Sequence, residues 1–129
     1  MLDLIDPDKD IQIAVDTRFL PDQSDPEAHR YVFSYQITIT NSSLMPIQLL
    51  SRRWVVTDGN EHVQEIEGEG VVGEQPVIEP QNSYQYTSGT VLATHVGSMY
   101  GHYVMETSEG ERFNAPIAAF TLAQPLALH

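Results

Sequence analysis

The chain has no cysteine, only one tryptophan, and just 6 lysines and arginines among its 129 residues. Without cysteine there is no disulfide framework, no thiolate nucleophile and no thiolate metal site. Lys9 is the sole lysine, and 18 acidic residues bring the formal charge to −12. Nucleic-acid binding rests on Lys and Arg neutralising phosphates, so this balance argues against DNA and RNA as partners. Anionic membrane surfaces repel the chain for the same reason. No run approaches the roughly 20 apolar residues that span a bilayer. The opening MLDLIDPDKD has no basic n-region and no apolar h-region, so no secretory signal is expected and the chain reads as cytoplasmic. Arg52-Arg53 is the one adjacent basic pair, and so the one candidate for a local basic patch.

What is present suits a globular domain: 41% of residues are hydrophobic and 19% charged. The length fits one domain over residues 1–129, with 1–9 read as a flexible N-terminal arm. Ile11, Ile13 and Val15 alternate with Gln12, Ala14 and Asp16, the pattern of a half-buried strand. Pro21 and Pro26 mark 20–29 as a loop. From Tyr31 to Thr40, Tyr31, Phe33, Tyr35, Ile37 and Ile39 share one face and polar residues fill most of the other. A strand over Ile47–Thr57 holds Trp54. Asp58-Gly59 predicts a tight primed turn into a return strand over Glu61–Glu67. Gly68 to Asn82 reads as loop with a short strand at Val77-Ile78. Ser83–Leu92 and Ser98–Glu106 read as strands. Glu111–Ala115 and Phe120–Leu122 close the chain, with Pro116 marking an edge or a break. No amphipathic helix of ordinary length is visible. The expectation is an all-β protein, an immunoglobulin-like β-sandwich of seven to eight antiparallel strands.

Four groups of residues are candidates for chemistry. Gly68-Glu69-Gly70-Val71-Val72-Gly73 spells G-x-G-x-x-G. That motif holds a pyrophosphate only at a strand-to-helix turn, and Pro76 and Pro80 arrive too soon for a helix. A glycine loop can still form a nest of N–H groups around an anion, though Glu67, Glu69 and Glu74 oppose it unless a divalent cation intervenes. The alternative is a loop that needs glycine for its geometry. Asp6-x-Asp8-x-Asp10 begins like a calcium loop, but Ile11 and Thr17 stand where glycine and glutamate are required. His29, His62, His95, His102 and His129 form no helix-spaced pair, although His95 and His102 could meet across a loop. Ser88-Gly89 and Gly97-Ser98 lack the nucleophile elbow. No residue is therefore assigned to catalysis or to a metal, and no cofactor is expected. Arg52 and Trp54 are the candidate partner-binding residues, because Arg and Trp anchor interfaces when they reach the surface. If Trp54 is buried, it is core instead.

The string QLLSRRW from Gln48 to Trp54, with Asp58-Gly59-Asn60, VQEIE from Val63 to Glu67 and GEGVVGEQP from Gly68 to Pro76, is distinctive. So are Tyr86-Thr87-Ser88-Gly89, VGSMYGHY from Val96 to Tyr103, and Glu111-Arg112-Phe113. Together they closely resemble the ApaG family, also called CorD, over about Ile11 to Leu122. The resemblance implies a single ApaG domain with a fibronectin type III-like sandwich. It implies a protein-interaction module, since related domains sit in an F-box substrate adaptor and in a polymerase delta-interacting protein. It also implies a link to cobalt and magnesium resistance or efflux. Some members of the family are proposed to bind pyrophosphate through the glycine motif, here Gly68, Gly70 and Gly73.

Two functions are expected on these grounds. The first is a non-enzymatic module that binds a protein partner, with an open strand edge leaving room for a homodimer. The second is a sensor that holds a nucleotide or pyrophosphate weakly in the Gly68–Gly73 loop with a divalent cation. A hydrolase of dinucleoside polyphosphates ranks below both, since only the neighbourhood of the family's gene suggests it.

Overall fold

The computed structural model describes residues 5–125. One helical turn, α1 (Pro7–Asp10), starts the described chain, capped by the Asp6 carboxylate accepting from the Asp8 N–H at 3.1 Å. It packs on the last strand, so the segment read as an arm contains a docked turn at its inner end. Eight strands succeed it: β1 (Ile11–Phe19), β2 (Tyr31–Asn41), β3 (Ile47–Asp58), β4 (Val63–Glu69), β5 (Val77–Ile78), β6 (Ser83–Leu92), β7 (Val96–Thr107) and β8 (Arg112–Ala123). The loop between β1 and β2 holds two single 3₁₀ turns, each opened by a proline.

The strands form two antiparallel sheets in a sandwich-like arrangement. A three-stranded sheet has the order β1-β2-β6, and a five-stranded sheet has the order β4-β3-β7-β8 with β5 also on β3. Period-2 alternation explains the core. On β2, Phe33, Tyr35, Ile37 and Ile39 point inward, and Val32 is buried as well. Trp54 is 1% exposed. Its indole meets Tyr35, Phe120 and Tyr103 edge-on, with ring centroids 5.5, 5.8 and 6.3 Å away. This aromatic cluster joins both sheets where a disulfide would otherwise cross.

Asn41 is fully buried at the end of β2. Its amide donates to the Met45 carbonyl at 2.9 Å and the Ile78 carbonyl at 2.8 Å, and its carbonyl accepts from the Ser43 N–H at 2.9 Å. One side chain thus ties β2, the following turn and β5 together.

One local expectation needs correction, and one pair of alternatives is decided. The hairpin between β3 and β4 exists, but it is not a two-residue primed turn. Gly59, Asn60 and Glu61 form the connection, the Glu61 N–H donates to the Asp58 carbonyl at 3.1 Å, and the positive φ (65°) falls on Glu61. The Asp58 carboxylate stabilises this loop by accepting from the N–H groups of Asn60 and His62. Of the two readings of Pro116, edge or break, the edge holds, and the last strand is continuous. β8 runs through it because β8 lies at a sheet edge, where a missing N–H costs little.

Candidate functional site

The two sheets differ in width, and the difference creates a site. At one flank of the sandwich β1 and β8 approach each other. At the other, β6 and β4 make no comparable contact, so β4 overhangs the end of the narrower sheet. Both faces of β4 are open, and Ile66 on its inner face is 37% exposed.

The glycine motif bridges this open flank. Gly68 pairs with Arg52 in the β3–β4 ladder. A Cβ at Gly68 would lie 2.7 Å from the Arg52 guanidinium, so the missing side chain is the seat for Arg52. Arg52 Nη1 in turn donates to the Glu69 carbonyl at 3.2 Å and the Gly70 carbonyl at 2.9 Å. Gly70 has φ +63°, and a Cβ there would lie 2.2 Å from the Glu74 carbonyl oxygen. Its N–H donates to the Leu50 carbonyl at 2.8 Å. Val71 and Glu74 exchange N–H to carbonyl bonds of 2.8 and 2.9 Å around Val72 (φ 42°) and Gly73 (φ 82°). Two successive positive φ values define a type I′ turn, for which glycine is well suited. Val71 plugs the core at 0% exposure. The Glu74 carboxylate accepts from the Tyr84 hydroxyl at 2.9 Å, tying the turn to β6.

The three glycines therefore do three structural jobs. Gly70, Val71 and Glu74 use their N–H groups inside the fold, and the turn leads into β5 rather than a helix. This is not the strand-to-helix geometry that cradles a pyrophosphate.

Beneath the turn lies a cavity of about 230 Å³ lined by Tyr35, Arg52, Trp54, Tyr86 and Ser88 with the Val72-Gly73 tip. The buried Trp54 Nε1–H has no hydrogen-bond partner. The Tyr86 and Tyr103 hydroxyls hydrogen-bond to each other across the interior. Burial drives both hydroxyls well above the ordinary tyrosine range, and the nearby Arg52 charge offsets part of that. A second depression of about 290 Å³ continues along the same flank between Gln64 and His62 on one side and Val91 and Leu92 on the other.

The sequence-derived candidates separate in space. Arg52 and Arg53 are adjacent on a strand, so they point to opposite faces and form no shared basic patch. Arg52 faces the cavity, while Arg53 lies on the outer face between Glu65 (2.7 Å) and Glu67. Hydrogen bonding to Glu67 and the charge of Glu65 hold the Arg53 guanidinium still more firmly protonated. Trp54 qualifies as a partner anchor only if partly exposed, and at 1% exposure it is core. His95 precedes β7 and packs on Tyr31, whereas His102 lies within β7 opposite Arg53. Seven residue steps of nearly extended chain separate them by about 20 Å, so they do not meet across a loop. His129 lies outside the described residues. Among the described residues, no three His, Asp or Glu side chains gather as metal ligands do, and no helix is long and apolar enough to cross a membrane.

Sequence reading missed Ile66, Glu74, Tyr84 and Tyr86 as members of this flank. One signal was available: Ser83–Leu92 is a ten-residue strand without a charged residue.

A family model described as the ApaG domain matches residues 21–107, a span that holds the glycine turn, β6 and the Trp54 cluster apart from Phe120. The chain belongs to the ApaG family. A protein ApaG of Azotobacter vinelandii is 54% identical over 124 residues, covering 96% of this chain and 98% of that protein. One from Pseudomonas aeruginosa is 56% identical over 119 residues, covering 92% and 94%. A crystal structure from Bordetella pertussis, described as an ApaA protein, superposes with a TM-score of 0.88 at 46% identity, covering 92% of this chain and 96% of that one. The ApaG architecture thus extends beyond the matched span to β1 and β8.

Proposed function

We propose that this ApaG-family chain is a non-enzymatic protein-binding module of the cytoplasm. Its sandwich is of the fibronectin type III or immunoglobulin-like type. Support for that type comes from strand order: consecutive strands β2 and β3 lie in different sheets, as do β5 and β6, beside antiparallel hairpins. The observation that carries the binding reading is the open flank, where β6 and the overhanging β4 expose unpaired strand edges around an apolar centre at Ile66. Such edges pair with other chains. In this reading, the family's link to cobalt and magnesium resistance acts through the partner. The wild-type chain as bait should retain a partner at fixed stoichiometry, and Ile66→Lys should release it while the fold is kept. A chain that retains no protein at all, or whose partner ignores every surface substitution, would overturn the reading.

One observation favours a second reading, a pyrophosphate or nucleotide sensor working with a divalent cation. Arg52, Trp54 and Gly73 line one cavity, and the Trp54 indole N–H is a buried donor without a partner. Gly73→Ala discriminates here, because nothing lies within 4 Å of the added methyl. A sensor should lose affinity in that variant without unfolding.

A further inference from the structure

The four sheet edges are not equally defended. Natural edges carry charge, proline or a bulge to prevent pairing with foreign strands. β1 carries Asp16 and Arg18. β4 carries Glu65, Glu67 and Glu69. β8 carries Arg112 and Pro116. β6 has ten residues and none of these defences: its sequence SYQYTSGTVL is uncharged, and its register with β2 runs unbroken from Tyr31↔Leu92 to Thr40↔Ser83. Among the described residues, no backbone group between Gln85 and Val91 hydrogen-bonds outside the β2 ladder.

The flank is also one strand short. The narrower sheet stops at β6, while the wider sheet continues to β4 and leaves Gln64 and Ile66 exposed on its inner face. A strand added to β6 would widen the first sheet by one and cover that face. Its inward side chains would meet Ile66 and, two residues along, the Arg52 guanidinium over Gly68 and the cavity lined by Trp54. On a strand, residues two apart share a face.

Resting on the binding-module reading, we propose that the free edge of β6 accepts an extended segment of a partner protein by strand addition. That segment places an apolar side chain over Ile66 and a carboxylate two residues away against Arg52. Main-chain hydrogen bonds then supply affinity and the two inward contacts supply specificity. A second copy of this chain is the poorer occupant. Two-fold pairing of β6 with itself would bring the Glu65, Glu67 and Glu69 rows of two chains of formal charge −12 toward each other.

A display library of random octapeptides, selected on the full chain, supplies the probes. Recovered peptides are titrated into ¹⁵N-labelled protein. The expected result is shifts at Gln85–Val91, Ile66 and the Trp54 indole N–H, with exchange of the free-edge β6 amides slowed at least tenfold. Ile66→Lys should weaken binding at least tenfold, and Tyr100→Lys on the outer face should not change it. Peptides N-methylated at alternate positions should lose binding in one register and keep it in the other, a readout that leaves the protein untouched. Shifts centred on the outer face around Tyr100 would overturn strand addition while leaving a binding module. Failure to recover any peptide, or a dimer in sedimentation with β6 protected, would overturn it as well. Retention of a protein partner unaffected by Ile66→Lys would separate failure of this edge from failure of the module reading.

Discussion

The two flanks of the sandwich solve the same problem differently. Where β1 and β8 meet, each sheet ends over the other. Where β6 and β4 part, the sheets end out of step, and one type I′ turn from Val71 to Glu74 bridges the gap. The closed flank is ordinary packing. The open flank collects an exposed Ile66, an undefended strand edge, an unpartnered indole N–H and a cavity. The openness of this flank therefore follows from unequal strand count, and side-chain identity refines it.

The largest effect should come from the residue that anchors the open flank from below. Trp54→Ala removes the centre of the aromatic cluster and should cost roughly 3–5 kcal/mol. Urea denaturation reads this directly, and a loss under about 1 kcal/mol would mean that the ring does not pack as described.

The bridge comes next. Gly70→Val puts a β-branched side chain at φ +63° with its Cβ against the Glu74 carbonyl, and should cost at least about 3 kcal/mol. Gly73→Ala meets only the backbone penalty and should cost about 1 kcal/mol. Equal losses for the two would break the claim that the motif's glycines have distinct structural roles.

Alkaline pH probes the hydroxyl pair behind the cavity. Burial raises the pKa of both Tyr86 and Tyr103 above the unfolded value near 10. Above about pH 10 the unfolded chain has released protons that the native state still holds, so stability falls as pH rises. Each group contributes up to about 1.4 kcal/mol per pH unit to that slope. Below about pH 10 both states are protonated and the contribution is constant. Tyr86→Phe should make the alkaline slope shallower; identical slopes for variant and wild type would place the hydroxyls in solvent.

The smallest effect belongs to the tie between the turn and β6. Tyr84→Phe deletes the bond to Glu74 and should cost about 0.5–1 kcal/mol, with faster amide exchange confined to residues 71–75. Exchange that quickens equally at the β1–β8 flank would erase the contrast between the flanks.

Much of this was legible in the sequence, for identifiable reasons. Alternation placed β2 within a residue and β6 at its observed bounds, because period-2 burial is a local property of a strand with one face in the core. Trp54 as core followed from the sandwich itself. A loop that needs glycine for positive φ was legible, and it holds at Gly70 and Gly73; the separate role of each glycine was not, because it depends on what lies opposite: the Arg52 guanidinium, the Glu74 carbonyl and open space. The turn after Asp58 was misjudged because Asp58 caps its own loop and transfers the positive φ to Glu61. The open flank was invisible because it arises from unequal sheet widths, a property of topology rather than of any segment.

The most direct test of whether the open flank serves a protein partner or a small anion is titration calorimetry. The full chain is titrated with pyrophosphate and with ATP, with and without Mg²⁺ or Co²⁺, at two temperatures. The account predicts no saturable heat under any of these conditions. Saturable binding that Gly73→Ala abolishes in a folded protein would contradict it and make the glycine turn a ligand site.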